Sequence, residues 1–140
     1  MSIRIFYDDI PFRIKNWKKT KSLIEKVISG EGKTLDDLNF ILTTDEILRE
    51  INVEFLKHNY NTDVISFNYG DEMLINGEVY ISIDTVRKNA KNYKVSYANE
   101  LLRVLIHGVL HICGYKDEIS EERMEMRKRE DYWLQNFEEI

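Results

Sequence analysis

Leu105-Ile106-His107-Gly108-Val109-Leu110-His111-Ile112-Cys113-Gly114-Tyr115-Lys116-Asp117 is an apolar run broken by two of the three histidines in the chain and followed by a carboxylate. Upstream the run extends to Tyr97 with apolar residues on every side, the pattern of a buried helix. Helical spacing places His107 and His111 one turn apart on a single face. Gly114 supplies a helix stop through the left-handed conformation, and Asp117 follows as a carboxylate able to turn back toward the imidazoles. Two histidines and one carboxylate can bind a metal and leave a coordination position open. A buried imidazole needs partners for both nitrogens in any case, whether it is a ligand or a core side chain.

Two neighbours narrow the chemistry. Gly108 stands where a His-Glu-x-x-His protease keeps its general base, so a protease mechanism lacks that group. Glycine inside a helix costs about 1 kcal/mol relative to alanine, so Gly108 marks a close approach by a strand, a ligand or a substrate. Cys113 lies two positions beyond His111, about 200° round the helix, which makes it a small buried hydrophobe rather than a fourth ligand.

A length of 140 residues suits one domain, here residues 1–140, with 43% hydrophobic residues for its core. No window approaches the ~18 unbroken apolar residues of a membrane span, and the first residues lack a signal-peptide pattern, so the expected location is the cytoplasm. The single cysteine rules out an internal disulfide framework. A formal charge of −5 argues against indiscriminate nucleic-acid binding, so a polyanion would have to meet a local basic patch.

Around the histidine run, alternation predicts a strand over Ile3 to Tyr7 and a helix entered near Pro11 and ended by Gly30 and Gly32. Leu38 to Thr43 reads as a strand, and the helix that follows buries Ile47, Leu48, Ile51, Phe55 and Leu56. Val64 to Phe67 is a short strand. Asn76-Gly77 suggests a tight turn, pairing Asp63 to Tyr69 with Glu78 to Ile83. Asp84 is the expected cap of a helix over Thr85 to Tyr93 that carries Arg87, Lys88 and Lys91, with Lys94 at its end. This stripe is either a phosphate track or a solvated face. Ser96 caps the histidine helix, and Glu118 to Phe137 is a charged terminal helix that offers Met124, Arg127, Tyr132, Trp133, Leu134 and Phe137 for packing.

The histidine segment resembles the His-Gly-x-Leu-His-Leu-x-Gly-Tyr-x-His motif of the YbeY proteins, bacterial metal-dependent endoribonucleases linked to ribosomal RNA maturation. Asn52, Phe55 and Thr62-Asp63-Val64-Ile65-Ser66-Phe67 are similar to a second family pattern, and Gly77-Glu78-Val79-Tyr80-Ile81-Ser82 to a third. The likeness runs from about Asn52 to Met126, with Glu122 and Met126 at familiar places.

The resemblance implies an α+β, zincin-like fold, in which a small mixed sheet of about four strands packs on the buried metal helix. It also implies one divalent ion held by His107, His111 and Asp117, which are thereby the candidate catalytic residues. The expected ion is zinc, with nickel and manganese as alternatives. The implied reaction is phosphodiester cleavage in single-stranded RNA by a metal-activated water, with ribosomal RNA and the ribosome or its proteins as partners.

Two positions depart from the family pattern. Asp117 replaces a third histidine, lowering the charge of a divalent site from about +2 to about +1. Leu56 replaces an arginine, for which Lys57 and His58 are candidate substitutes. Arg87, Lys88, Lys91 and Lys94 are the candidate RNA track, and Glu118 is a candidate base. Two rivals are a ribosome-assembly factor with a structural or weakly active metal site, and a metal-dependent hydrolase of small amides or esters.

Overall fold

The computed structural model describes residues 2–56 and 62–138; the sites expected at Lys57 and His58 lie outside the described residues. The elements run β1 (Ser2–Tyr7), α1 (Trp17–Gly30), β2 (Thr34–Thr43), α2 (Asp45–Leu56), β3 (Val64–Asn68), β4 (Leu74–Ser82), α3 (Ile83–Tyr93), α4 (Tyr97–Ile112) and α5 (Ser120–Glu138). The strands form one mixed sheet in the order β1-β2-β4-β3. Both β1–β2 and β2–β4 are parallel, and β3 runs antiparallel to β4. This is the α+β architecture with four mixed strands expected above.

Alternation along the strands decides which face is covered. Ile3, Leu38, Phe40, Leu42, Val79 and Ile81 are buried. Against this face lie α1, whose Leu23, Ile24, Val27 and Ile28 recur at helical spacing, and the apolar α4. Outside them α5 contributes Met126 and Trp133 to the core, with Leu134 and Phe137 partly buried against it. Met124 and Tyr132, expected to pack, are exposed.

Several boundaries differ from expectation. Helix α1 begins at Trp17 rather than near Pro11, because Asn16 takes a left-handed φ of 58° and its carbonyl receives the first helical N–H groups, those of Lys19 and Thr20. Strand β2 begins four residues early. The polar pair Asp36-Asp37 lies at its bulge, where Asp37 accepts from Ser2 Oγ at 2.7 Å and Asp36 from Asn76 Nδ2 at 2.9 Å.

Asn76-Gly77 is not a turn but lies within β4, where a Cβ on Gly77 would sit 2.3 Å from the Phe67 carbonyl oxygen. The reversal is made by Asp71, whose Oδ1 accepts from the Met73 and Leu74 N–H groups at 2.8 Å each. Ser82, not Asp84, caps α3 by accepting from the Thr85 N–H at 3.2 Å. The Asp84 carboxylate instead takes the N–H of Asp45 at 3.0 Å, at the start of α2. Ser96 caps α4 as expected, accepting from the Asn99 N–H at 3.1 Å.

Gly108 is the point at which α4 meets the sheet. A Cβ there would lie 2.5 Å from Val79 Cγ1, and Val79 is fully buried and cannot step aside. Gly108→Ala is therefore expected to lower stability by a net ~1–2 kcal/mol, overpacking outweighing the gain in helix propensity. Urea unfolding checks this, and an unchanged or raised midpoint would show that α4 can lift from the sheet at no cost.

Candidate metal centre and cleft

Helix α4 delivers His107 and His111 on one face, with their rings 4.6 Å apart. The Cys113, Gly114 and Tyr115 N–H groups close its last turn on the Val109, His111 and Leu110 carbonyls, and Gly114 takes a φ of +113°. The chain then turns back, bringing Asp117 Oδ2 to 3.3 Å from His107 Nε2 and 3.2 Å from His111 Nε2. One donor atom from each of the three residues lies within 4.8 Å of the other two.

The opposite ring nitrogens are also engaged. His107 Nδ1 meets Glu130 Oε2 at 2.6 Å, and His111 Nδ1 meets the Tyr115 carbonyl at 3.1 Å. When each Nδ1 carries the proton and donates it, each Nε2 presents a lone pair toward Asp117, the usual support of a metal-bound histidine. The donor set therefore fits a divalent ion.

Glu130 is 4% exposed, and its other oxygen accepts from Arg103 Nη1 at 2.9 Å; Arg103 Nη2 reaches Asp131 at 2.6 Å. Burial pulls the His107 pKa down, but the hydrogen bond and charge of Glu130, with Asp63 and Asp117, carry it above the ordinary histidine value. Burial likewise raises Asp63, where Glu130 and Asp117 add to the effect and His107 opposes it. Cys113 is buried and its thiol is pushed up to about 12, the inert core side chain expected from its place on the helix.

A cleft of about 330 Å³ opens beside the ligands. Its walls include Asn89 and Tyr93 of α3 and Arg123 and Arg127 of α5, with Asp63 and Glu100 among its carboxylates. Arg87, Lys88, Lys91 and Lys94 are exposed on α3 without lining this cleft, and the Arg87 guanidinium lies over the Tyr97 ring at 5.4 Å. Glu118 is also exposed and outside the cleft lining; its N–H donates to Glu122 Oε1 at 3.1 Å where α5 begins.

Sequence reading missed Glu130, Arg103 and Arg123, and expected Arg127 to pack, whereas it is exposed and lines the cleft. Arg103 had a visible signal, being one turn before His107 on the same helix face. Glu130 had none, because it is one of many charges on a helix whose inward side only the fold reveals.

Fold and site together define a small α+β protein of zincin-like kind, whose central helix and following turn bring together three donors that could hold a metal ion. A family model described as Endoribonuclease YbeY matches residues 8–138. The Endoribonuclease YbeY of Flavobacterium psychrophilum is 45% identical over 134 residues, covering 94% of each chain. That of Amoebophilus asiaticus is 43% identical over 134 residues, covering 95% of this chain and 91% of its own. A Thermotoga maritima protein solved in solution superposes with a TM-score of 0.68 at 27% identity, over 97% of this chain and 89% of its own. The chain belongs to the YbeY endoribonuclease family.

Proposed function

We propose that this chain is a metal-dependent endoribonuclease that cleaves phosphodiester bonds of single-stranded RNA during ribosomal RNA maturation, with one divalent ion held by His107, His111 and Asp117. The observation that carries this reading is the convergence of the two Nε2 atoms on Asp117 Oδ2, with both Nδ1 atoms already partnered. When bound, the ion supplies Lewis acidity toward a phosphate oxygen and a water of lowered pKa.

The protein's own groups set the rest. Glu130 and the Tyr115 carbonyl hold the imidazoles in position, and Asp117 adds a hard oxygen donor. Zinc suits this nitrogen and oxygen set; the alternatives are nickel, which imidazoles also suit, and manganese, which the carboxylate favours.

The cleft is lined by four carboxylates and three guanidinium groups, too polar a wall for the apolar pocket a small amide or ester would need, and the two arginines of α5 are the cations in it that can meet a phosphate. Tyr93 is 59% exposed on the opposite wall and offers a ring on which an unpaired base can stack. Beyond the cleft, Arg87, Lys88, Lys91 and Lys94 provide an outer track for the strand. No described helix is long and apolar enough to cross a membrane. The proposed setting is the cytoplasm, on ribosomal RNA and with the ribosome or its proteins as partners.

Chelator-treated protein reloaded separately with zinc, nickel and manganese provides the test. Cleavage of single-stranded RNA, with little of a duplex of the same sequence, is expected to disappear on chelation and return with one of these ions. Absence of cleavage with every ion would favour the assembly-factor reading, in which the metal centre is structural.

A further inference from the structure

The cleft holds three guanidinium groups, and they differ in what neutralises them. Arg103 is committed to Glu130 and Asp131. Arg123 donates from Nη1 to two neutral carbonyl oxygens, those of Glu118 at 2.8 Å and Asp117 at 3.5 Å. Among the described residues, Arg127 has no hydrogen-bond or ion-pair partner, although it lines the same cleft as His107 and Asp117. Arg123 and Arg127 are four residues apart on α5, so they share a helix side, and like charges at that spacing repel. An anion between that side of α5 and the metal ligands would relieve the repulsion.

We propose that Arg127, assisted by Arg123, binds the phosphodiester of the RNA strand and holds it against the cluster of His107, His111 and Asp117. This assignment rests on the endoribonuclease reading. A guanidinium presents a planar fork to two phosphate oxygens, and exposed arginines already facing the cleft need little rearrangement to do so. The competing role for Arg127 is to balance buried Glu100, whose carboxyl burial holds above its ordinary value although Arg103 and Arg127 pull it down. That role predicts a change in stability and none in RNA affinity.

The test uses the full chain loaded with zinc and a fluorescein-labelled 2′-O-methyl single-stranded RNA, its integrity checked by gel after each titration, read by anisotropy over a salt series. Arg127→Gln is expected to weaken binding about tenfold and to reduce the slope of log affinity against log salt by about 0.7. Arg127→Lys should restore the slope while leaving cleavage of unmodified RNA slow, because an ammonium keeps the charge and loses the fork. Arg123→Gln should show a smaller loss in both readouts.

A folded Arg127→Gln protein with unchanged affinity and salt slope overturns the assignment and leaves the nuclease reading standing. Failure of the unsubstituted protein to bind the probe overturns both. Should the glutamine variant not fold, the lysine variant decides alone: unmodified RNA cleaved at the full rate would overturn the assignment.

Discussion

Replacing His111 with alanine is expected to lower RNA cleavage by about three orders of magnitude or more, equivalent to at least about 4 kcal/mol of transition-state stabilisation. The centre has three donors, so the substitution leaves one imidazole and one carboxylate to hold a divalent ion. The side chain of His111 is 27% exposed, so its loss opens little space in the core. The fold should survive, with a thermal midpoint near that of the metal-free parent. The measurement pairs a metal-binding titration with single-turnover cleavage. Cleavage that persists at the parental rate in the variant would remove the three-donor centre from the reaction.

Glu31→Ala should have the largest effect on stability. The side chain of Glu31 is 7% exposed just beyond the end of α1 and collects three donors. Tyr115 Oη approaches Oε1 at 2.8 Å, and Arg129 Nε and Trp133 Nε1 approach Oε2 at 2.6 and 2.8 Å. One carboxylate thus joins α1, the turn that carries Asp117, and α5. Alanine would strand the Arg129 charge and the indole N–H, a loss of about 3 kcal/mol, a substantial part of the ~5–15 kcal/mol that holds a domain folded. The turn would also loosen, because the carbonyl that orients His111 belongs to Tyr115.

The pH dependence of that loss follows from the same contacts. Burial pushes the Glu31 carboxyl up, but the hydrogen bonds from Arg129, Trp133 and Tyr115 and the charge of Arg129 overcome it and leave the pKa below its ordinary value. A carboxylate with a depressed folded pKa stabilises fully above its unfolded value and loses that contribution as pH falls through the folded one. The gap in urea midpoint between parent and Glu31→Ala should therefore be wide at neutral pH and narrow in acid below the ordinary carboxylate range. An equal gap at both would show that Glu31 acts through packing and not as a charge.

Legibility differed between parts of the molecule for identifiable reasons. The order of helices and strands was readable because apolar periodicity is a local property, and the four strands were expected in the order in which they occur. The strand boundaries at Thr34 and Leu74 were not. Asp36-Asp37 in β2 and Asn76-Gly77 in β4 interrupt the apolar pattern near the start of each strand, which reads locally as loop and becomes strand only when a neighbouring strand supplies the ladder. Asn76-Gly77 shows the limit clearly: its usual turn geometry is set aside because the glycine admits the Phe67 carbonyl and the Ile112 side chain.

The sequence by itself picked out the three candidate donors, which the structure brings within 4.8 Å of one another. The spacing of His107 and His111 and the helix stop at Gly114 are covalently near, so helix geometry alone puts the imidazoles on one face and allows Asp117 to return. Tertiary structure decided what surrounds those donors. Glu130, Glu31, Arg123 and Arg127 reach the site or its supporting turn from α5 and α1 across gaps of up to 84 residues, as in the Tyr115 to Glu31 bond. No local pattern distinguishes these charges from the solvated ones beside them, because the burial and partners of Glu130 and Glu31, and the cleft that Arg123 and Arg127 face, come only from packing.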